Sequence, residues 1–273
     1  MRNVYSKLAL SFAVGAGLVF GAGGTAGTAH AVKKGGVLNF VVGSKIPSYD
    51  LHRETTFGVI HPIRPFYSLL IRINPDNPSS PTDFICDLCE GAVPKGTDGY
   101  KTYTFNIRKG VKFHDKAPVN GREVTSEDVK WSYERFLKGP DSDKWQLGDI
   151  SSIDTPDKYT VVMHLKDPVV SFLHHVGEPL AFILPKEAAS SPPKTPTLKL
   201  PEEFIAPDGI IGTGPWMFES HEKDKKVVAV RNPNYFKAGL PYVDEVEMTI
   251  IQGSAATMAA FLTRKRDYTG SRT

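Results

Sequence analysis

Between Tyr103 and Asp115 the chain reads YTFNIRKGVKFHD, in which Tyr103, Phe105 and Ile107 alternate with Thr104, Asn106 and Arg108. That period of two predicts a strand with one buried face. Lys109-Gly110 supplies a turn, and Val111 and Phe113 predict a second short strand. Thr125-Ser126-Glu127-Asp128 then places a hydroxyl three residues before an acid, and Val129, Tyr133 and Phe136 follow at helical spacing, which predicts a capped helix. Within this order the neighbours His114 and Asp115 fall at the end of an extended segment, where adjacent side chains point to opposite faces. The pair therefore reads as a structural corner and not as a His–Asp catalytic unit; no G-x-S-x-G nucleophile elbow accompanies it.

The same patterns recur along the chain. GGVLNFVVG, residues 35–43, is an apolar run between glycines that predicts a buried strand, and the polar SKIPSYDLHRETTFG after it predicts a loop. In open α/β sheets ligands gather beyond the carboxyl ends of strands, so this loop is a candidate site. Tyr159, Val161, Met163 and Leu165 alternate in KYTVVMHLK. GTGPWMF and KKVVAVRNPNYF predict an antiparallel pair around residues 221–226, VDEVEMTII a strand, and SAATMAAFLTRK a helix. Proline-rich breaks, NPDNPSSPTD and SSPPKTPTLKLPEEF, mark two seams. Gly212-Thr213-Gly214-Pro215 lacks the lysine and following helix of a phosphate loop, which makes it a rigid turn. His174-His175 diverge too far on either a helix or a strand to act together.

Charge changes the picture only at the start. Arg2 and Lys7 precede the apolar run Leu8 to Phe20, and small residues follow down to Ala29-His30-Ala31. This is the order of a secretory signal peptide, over residues 1–31, and the run is too short to span a membrane. Removing it takes away two of the 33 basic residues and none of the 30 acidic ones, leaving +1. That balance, without a clustered basic face, argues against a nucleic-acid partner. The segment contains no cysteine to carry a lipid, so the expected location is periplasmic without a lipid anchor. The two cysteines, Cys86 and Cys89, favour a small buried pair or a local disulfide; the rival is a periplasmic thiol–disulfide oxidoreductase. No second C-x-x-C completes a zinc site, and no cofactor is expected.

Taken in order, GGVLNFVVG, YTFNIRKGVKFHD, TSEDVKWSYER, GTGPW, RNPNYF with LPYVDEVEMTII, and AATMAAFLTRKRD resemble the extracellular solute-binding proteins of family 5, the peptide- and nickel-binding receptors of ABC importers. The resemblance covers residues 35–267, and KGVKFHD followed by SEDV is its most specific part. It implies an α/β, periplasmic binding protein-like (class II) lobe with a mixed sheet. Residues 32–65 and 206–262 would form the core of lobe one, 66–205 an inserted α+β subdomain, and 263–273 the start of the crossover to a second lobe that this text lacks. The phrase holding His114-Asp115 is, by that resemblance, a fold signature.

The function implied is the non-enzymatic capture of oligo- or dipeptides for an ABC importer's permease subunits by a monomeric receptor; a chemosensory receptor on the same fold is the further alternative. The expected ligand contacts are Ser44, Lys45, Ile46, Tyr49 and Phe57, on the loop after the first strand, with Thr213 and Trp216 beside them. Against nickel, only His52 and His61 lie near that loop, and no metal site is expected.

Overall fold

The computed structural model describes residues 33–138, 145–189 and 209–267, which belong to one compact unit. The signal-peptide segment, the second proline-rich seam and the last six residues lie outside the described residues. The principal sheet has four strands in the order β1-β9-β8-β7, comprising β1 (Val37–Val42), β7 (Trp216–Glu222), β8 (Lys226–Arg231) and β9 (Glu245–Ile250). β7, β8 and β9 pair antiparallel, as their short connections dictate, while β1 joins β9 in parallel. The sheet is therefore mixed, and the carboxyl ends of β1 and β9 share one edge.

The intervening chain builds two smaller sheets. β2 (Ile71–Ile73) pairs with β3 (Phe84–Cys86), and β4 (Thr102–Asn106), β6 (Thr160–Leu165) and β5 (Ile150–Asp157) form an antiparallel sheet in that order. The alternation legible in the sequence is the burial pattern observed: Tyr103, Phe105, Val161, Met163 and Leu165 all face the core. Among the described residues five α-helices accompany the sheets: α1 (Phe57–Ile63), α2 (Ser126–Leu137), α3 (Phe172–Gly177), α4 (Lys186–Ala189) and α5 (Ser254–Leu262). α2 begins as its sequence predicts, with the Thr125 amide donating to Asp128 Oδ2 at 2.9 Å in a capping box. It buries Val129, Tyr133 and Phe136 along one face.

Two expectations need correction. The apolar run of β1 is a half-exposed border strand, with Val37 and Leu38 open to solvent, because only β9 flanks it with a full ladder. Beyond it stands a single residue, Asp267, whose amide donates to the Asn39 carbonyl at 3.0 Å while its Oδ2 accepts from the Asn39 amide at 2.7 Å. The second short strand at Val111 and Phe113 is reduced to one bridge, Lys112 to Glu123, since Gly110 turns the chain at φ +76° and leaves no room for a ladder.

His114 explains how the middle of the chain meets the principal sheet. Its backbone amide donates to the Gly212 carbonyl at 2.8 Å. The Gly212 amide donates back to Nδ1 at 3.2 Å, so Nε2 carries the proton and donates to the Gly214 carbonyl at 3.1 Å. Both ring nitrogens are committed, which leaves none for catalysis. The glycines are required because a Cβ at Gly212 or Gly214 would collide with the Phe66 and Pro65 carbonyls. Burial lowers the His114 pKa to about 4 and that of the equally buried His52 to about 3. Each stays neutral in the fold but takes a proton near 6.5 when the chain unfolds. Their stabilisation is thus complete above about pH 6.5 and is lost as pH falls towards 4.

Urea unfolding at pH 7 and pH 4.5 checks this: stability should drop on acidification, and His114→Gln should show a drop smaller by about 2 kcal/mol than the unaltered chain.

Candidate functional site

The loop after β1 is polar in sequence, and its stretch Ser48 to His52 is buried in the fold, an arrangement that demands internal partners for the buried charge. Asp50, fully buried, accepts both arms of the Arg135 guanidinium from α2, one at 2.9 Å. Asp50 Oδ1 also accepts from the His52 amide at 3.0 Å, and the Asp50 carbonyl from the Arg53 and Glu54 amides. His52 Nε2 bonds the Phe182 carbonyl at 3.0 Å, and its ring meets Phe136 edge-on. On the other side the Tyr49 hydroxyl and His221 Nδ1 share a 2.5 Å hydrogen bond, and Lys45 Nζ pairs with Asp224 at 3.0 Å. Both of these partners lie on the β7–β8 hairpin. The loop is consequently pinned from α2 and from the hairpin together.

What this scaffold presents is a cleft of about 510 Å³ at the carboxyl end of β1, lined by Phe40 to Ser44, Phe57, His61 and Arg266. Phe57, at the start of α1, is 74% exposed and stacks on His61 with ring centroids 5.3 Å apart. The ring therefore offers an apolar face beside the concavity. Burial, and then the Arg64 charge, lower the His61 pKa, so its ring is neutral near pH 7.

Of the expected contacts, Ser44 and Phe57 come together in this cleft. Lys45 and half-buried Ile46 continue the loop, Ile46 packed against the core. Tyr49 is buried against His221. Thr213 is wholly buried and half-buried Trp216 opens β7, both away from the cleft lining. Arg266 was not foreseen. The run Arg264-Lys265-Arg266 offers three basic residues, of which only the last is buried, and no periodicity singles it out.

Cys86 and Cys89 form a disulfide with Cα atoms 4.9 Å apart. Cys86 pairs with Ile71 in the β2–β3 ladder, and buried Cys89 bridges to Ile107 beyond β4. The bond thus sits at the junction of two sheets.

The family model for the middle region of the bacterial extracellular solute-binding proteins, family 5, matches residues 88–273, more than half of the chain. This chain belongs to that family. Its relatives include the probable D,D-dipeptide-binding periplasmic protein DdpA of Escherichia coli, 31% identical over 196 residues, which cover 70% of this chain and 35% of DdpA. The oligopeptide-binding protein AppA of Bacillus subtilis is 30% identical over 169 residues, 60% of this chain and 29% of AppA. Among solved structures, the ABC transporter-associated periplasmic binding protein DppA from Helicobacter pylori, in complex with the peptide STSA, superposes with a TM-score of 0.69 at 24% identity over 86% of this chain and 46% of DppA. The chain spans about a third of the length of these curated relatives. Family membership gives the thiol–disulfide alternative no support.

Gly58, next to Phe57, tests the site's construction. A Cβ there would stand 2.7 Å from the Lys45 carbonyl and 2.8 Å from Ser44 Oγ, so Gly58→Ala must push the loop away. The expected result is a loss of about 1–3 kcal/mol in denaturant unfolding, with amide shift changes concentrated at residues 43–47.

Proposed function

We propose that this chain provides the peptide-contacting wall of a periplasmic receptor that delivers peptides to an ABC importer. The observation that carries the reading is the cleft at the carboxyl end of β1, with exposed Phe57 on its rim and a loop pinned from two sides behind it. Peptide receptors need such a rigid wall: backbone bonds and water-filled pockets then accept varied side chains without a matched pocket for each. Ser44 offers a hydroxyl at the cleft floor and Phe57 an apolar face. Lys45 and Ile46 shape the loop, while buried Tyr49 and Thr213 hold the fold and Trp216 borders it. In this reading residues 32–65 and 206–262 are the core of the wall, 66–205 an inserted subdomain, and the role is capture without catalysis. The names of the relatives, dipeptide- and oligopeptide-binding, support peptides as the ligand class.

A cleft open on one side buries only part of a peptide, so the chain by itself should bind on the order of 1 mM. Calorimetry with trialanine and pentaalanine should register that binding, and Phe57→Ala should weaken it about fivefold. Because Phe57 is exposed, the same substitution should leave stability within about 0.5 kcal/mol. Binding unaffected by Phe57→Ala would place the peptide elsewhere.

A further inference from the structure

Arg266 is only 4% exposed, yet among the described residues its Nε and Nη2 have no hydrogen-bond partner. Among the described residues no carboxylate stands within ion-pair distance of it. The adjacent Asp267 is engaged elsewhere, its Oδ2 accepting from both the amide and the side-chain nitrogen of Asn39. That clamp fixes the backbone beside β1 and so fixes where Arg266 emerges. The central carbon of the guanidinium stands 5.9 Å from the centre of the Phe261 ring. A buried, unpaired guanidinium is among the costliest groups a fold can hold, and an apolar residue of similar length would pack there without penalty. The arginine also lines the cleft described above, with Ser44, neutral His61 and, beside His61, the Arg64 charge. Arg266 is the charged side chain of that lining, and the neighbouring Asp267 carboxylate is held by Asn39.

We propose that the cleft is an oxyanion site, in which the Arg266 guanidinium pairs with a carboxylate or similar oxyanion of the bound ligand. The planar fork presents parallel N–H groups to two oxygens, a geometry no ammonium reproduces. Ser44 and His61 line the same cleft and carry a hydroxyl and a ring N–H that could donate to the same oxyanion, beside the apolar rings of Phe40 and Phe57. The proposal rests on the peptide reading only for the ligand's identity; a peptide would enter with its terminal carboxylate towards Arg266.

The experiment uses the full chain and Arg266→Met, titrated with sodium acetate, inorganic phosphate, trialanine and trialanine amide, and followed by amide chemical shifts at Ser44 and residues 264–267. Acetate or phosphate should shift these amides in the unaltered chain, and Arg266→Met should weaken the effect at least tenfold. Trialanine should bind at least tenfold more tightly than its amide, a difference that Arg266→Met abolishes and Arg266→Lys only partly restores. Without anion, Arg266→Met should melt at a higher temperature, because an uncompensated charge has been removed. A methionine variant that unfolds or melts lower assigns the arginine a structural role and overturns the proposal, as does an anion response equal in both proteins or absent from both. If acetate binds through Arg266 and trialanine does not bind at all, the oxyanion site stands and the peptide reading falls. If trialanine and its amide bind alike, the peptide reading stands and the oxyanion site falls.

Discussion

The buried pair of Asp50 and Arg135 is the constraint from which the rest of the site follows. An aspartate with no exposed surface is tolerable only if its charge is matched and its lone pairs are filled, and here the guanidinium and the loop's own amides do both. The result is a long polar connection that behaves as part of the core. Because Arg135 rises from α2, whose start is fixed by its capping box, the position of the β1 loop is inherited from a helix more than eighty residues away in sequence. Tyr49 and Lys45 repeat the arrangement on the hairpin side with weaker, more exposed bonds. Under the proposed function, preorganisation of this kind would leave little of the binding energy to be spent ordering the wall.

A second set of bonds joins the smaller sheets to the principal one. His114 spends its backbone and both ring nitrogens on Gly212 and Gly214, and those glycines are backed against the Pro65 and Phe66 carbonyls directly after α1. The element that carries Phe57 and His61 is thereby braced by the same corner that appears in the sequence as an isolated His–Asp pair. A chemical-looking motif thus serves as mechanical support for the region that holds the candidate cleft.

The fold was legible where period and punctuation agree. The alternation at Tyr103–Ile107 and Tyr159–Leu165 reappears as burial, and Thr125 with Asp128 starts α2 as read. Where topology decides, the sequence is ambiguous: VLNFVV has the composition of a central strand and lies at the border, because its neighbours are chosen by the chain from residue 216 onwards. The lining of the candidate cleft was half legible. Ser44 and Phe57 follow from their place after a strand, a positional argument that needs no contacts. Tyr49 and Thr213 carry the same positional signal but turn inwards, and Arg266 is hidden in a basic run whose burial depends on its docking beside β1. Contacts between residues far apart in sequence settle such cases, and local pattern cannot encode them.

The proposed account is of a rigid wall on which a flexible peptide would be laid, behind a loop pinned to α2. The most direct measure of that rigidity is native-state amide hydrogen exchange at His52, Arg53 and Glu54, whose N–H groups all bond to Asp50. The account predicts protection approaching that of the strand amides of β8, with exchange only through unfolding of most of the molecule. Exchange at the rate of an open surface loop, while β8 stays protected, would contradict it.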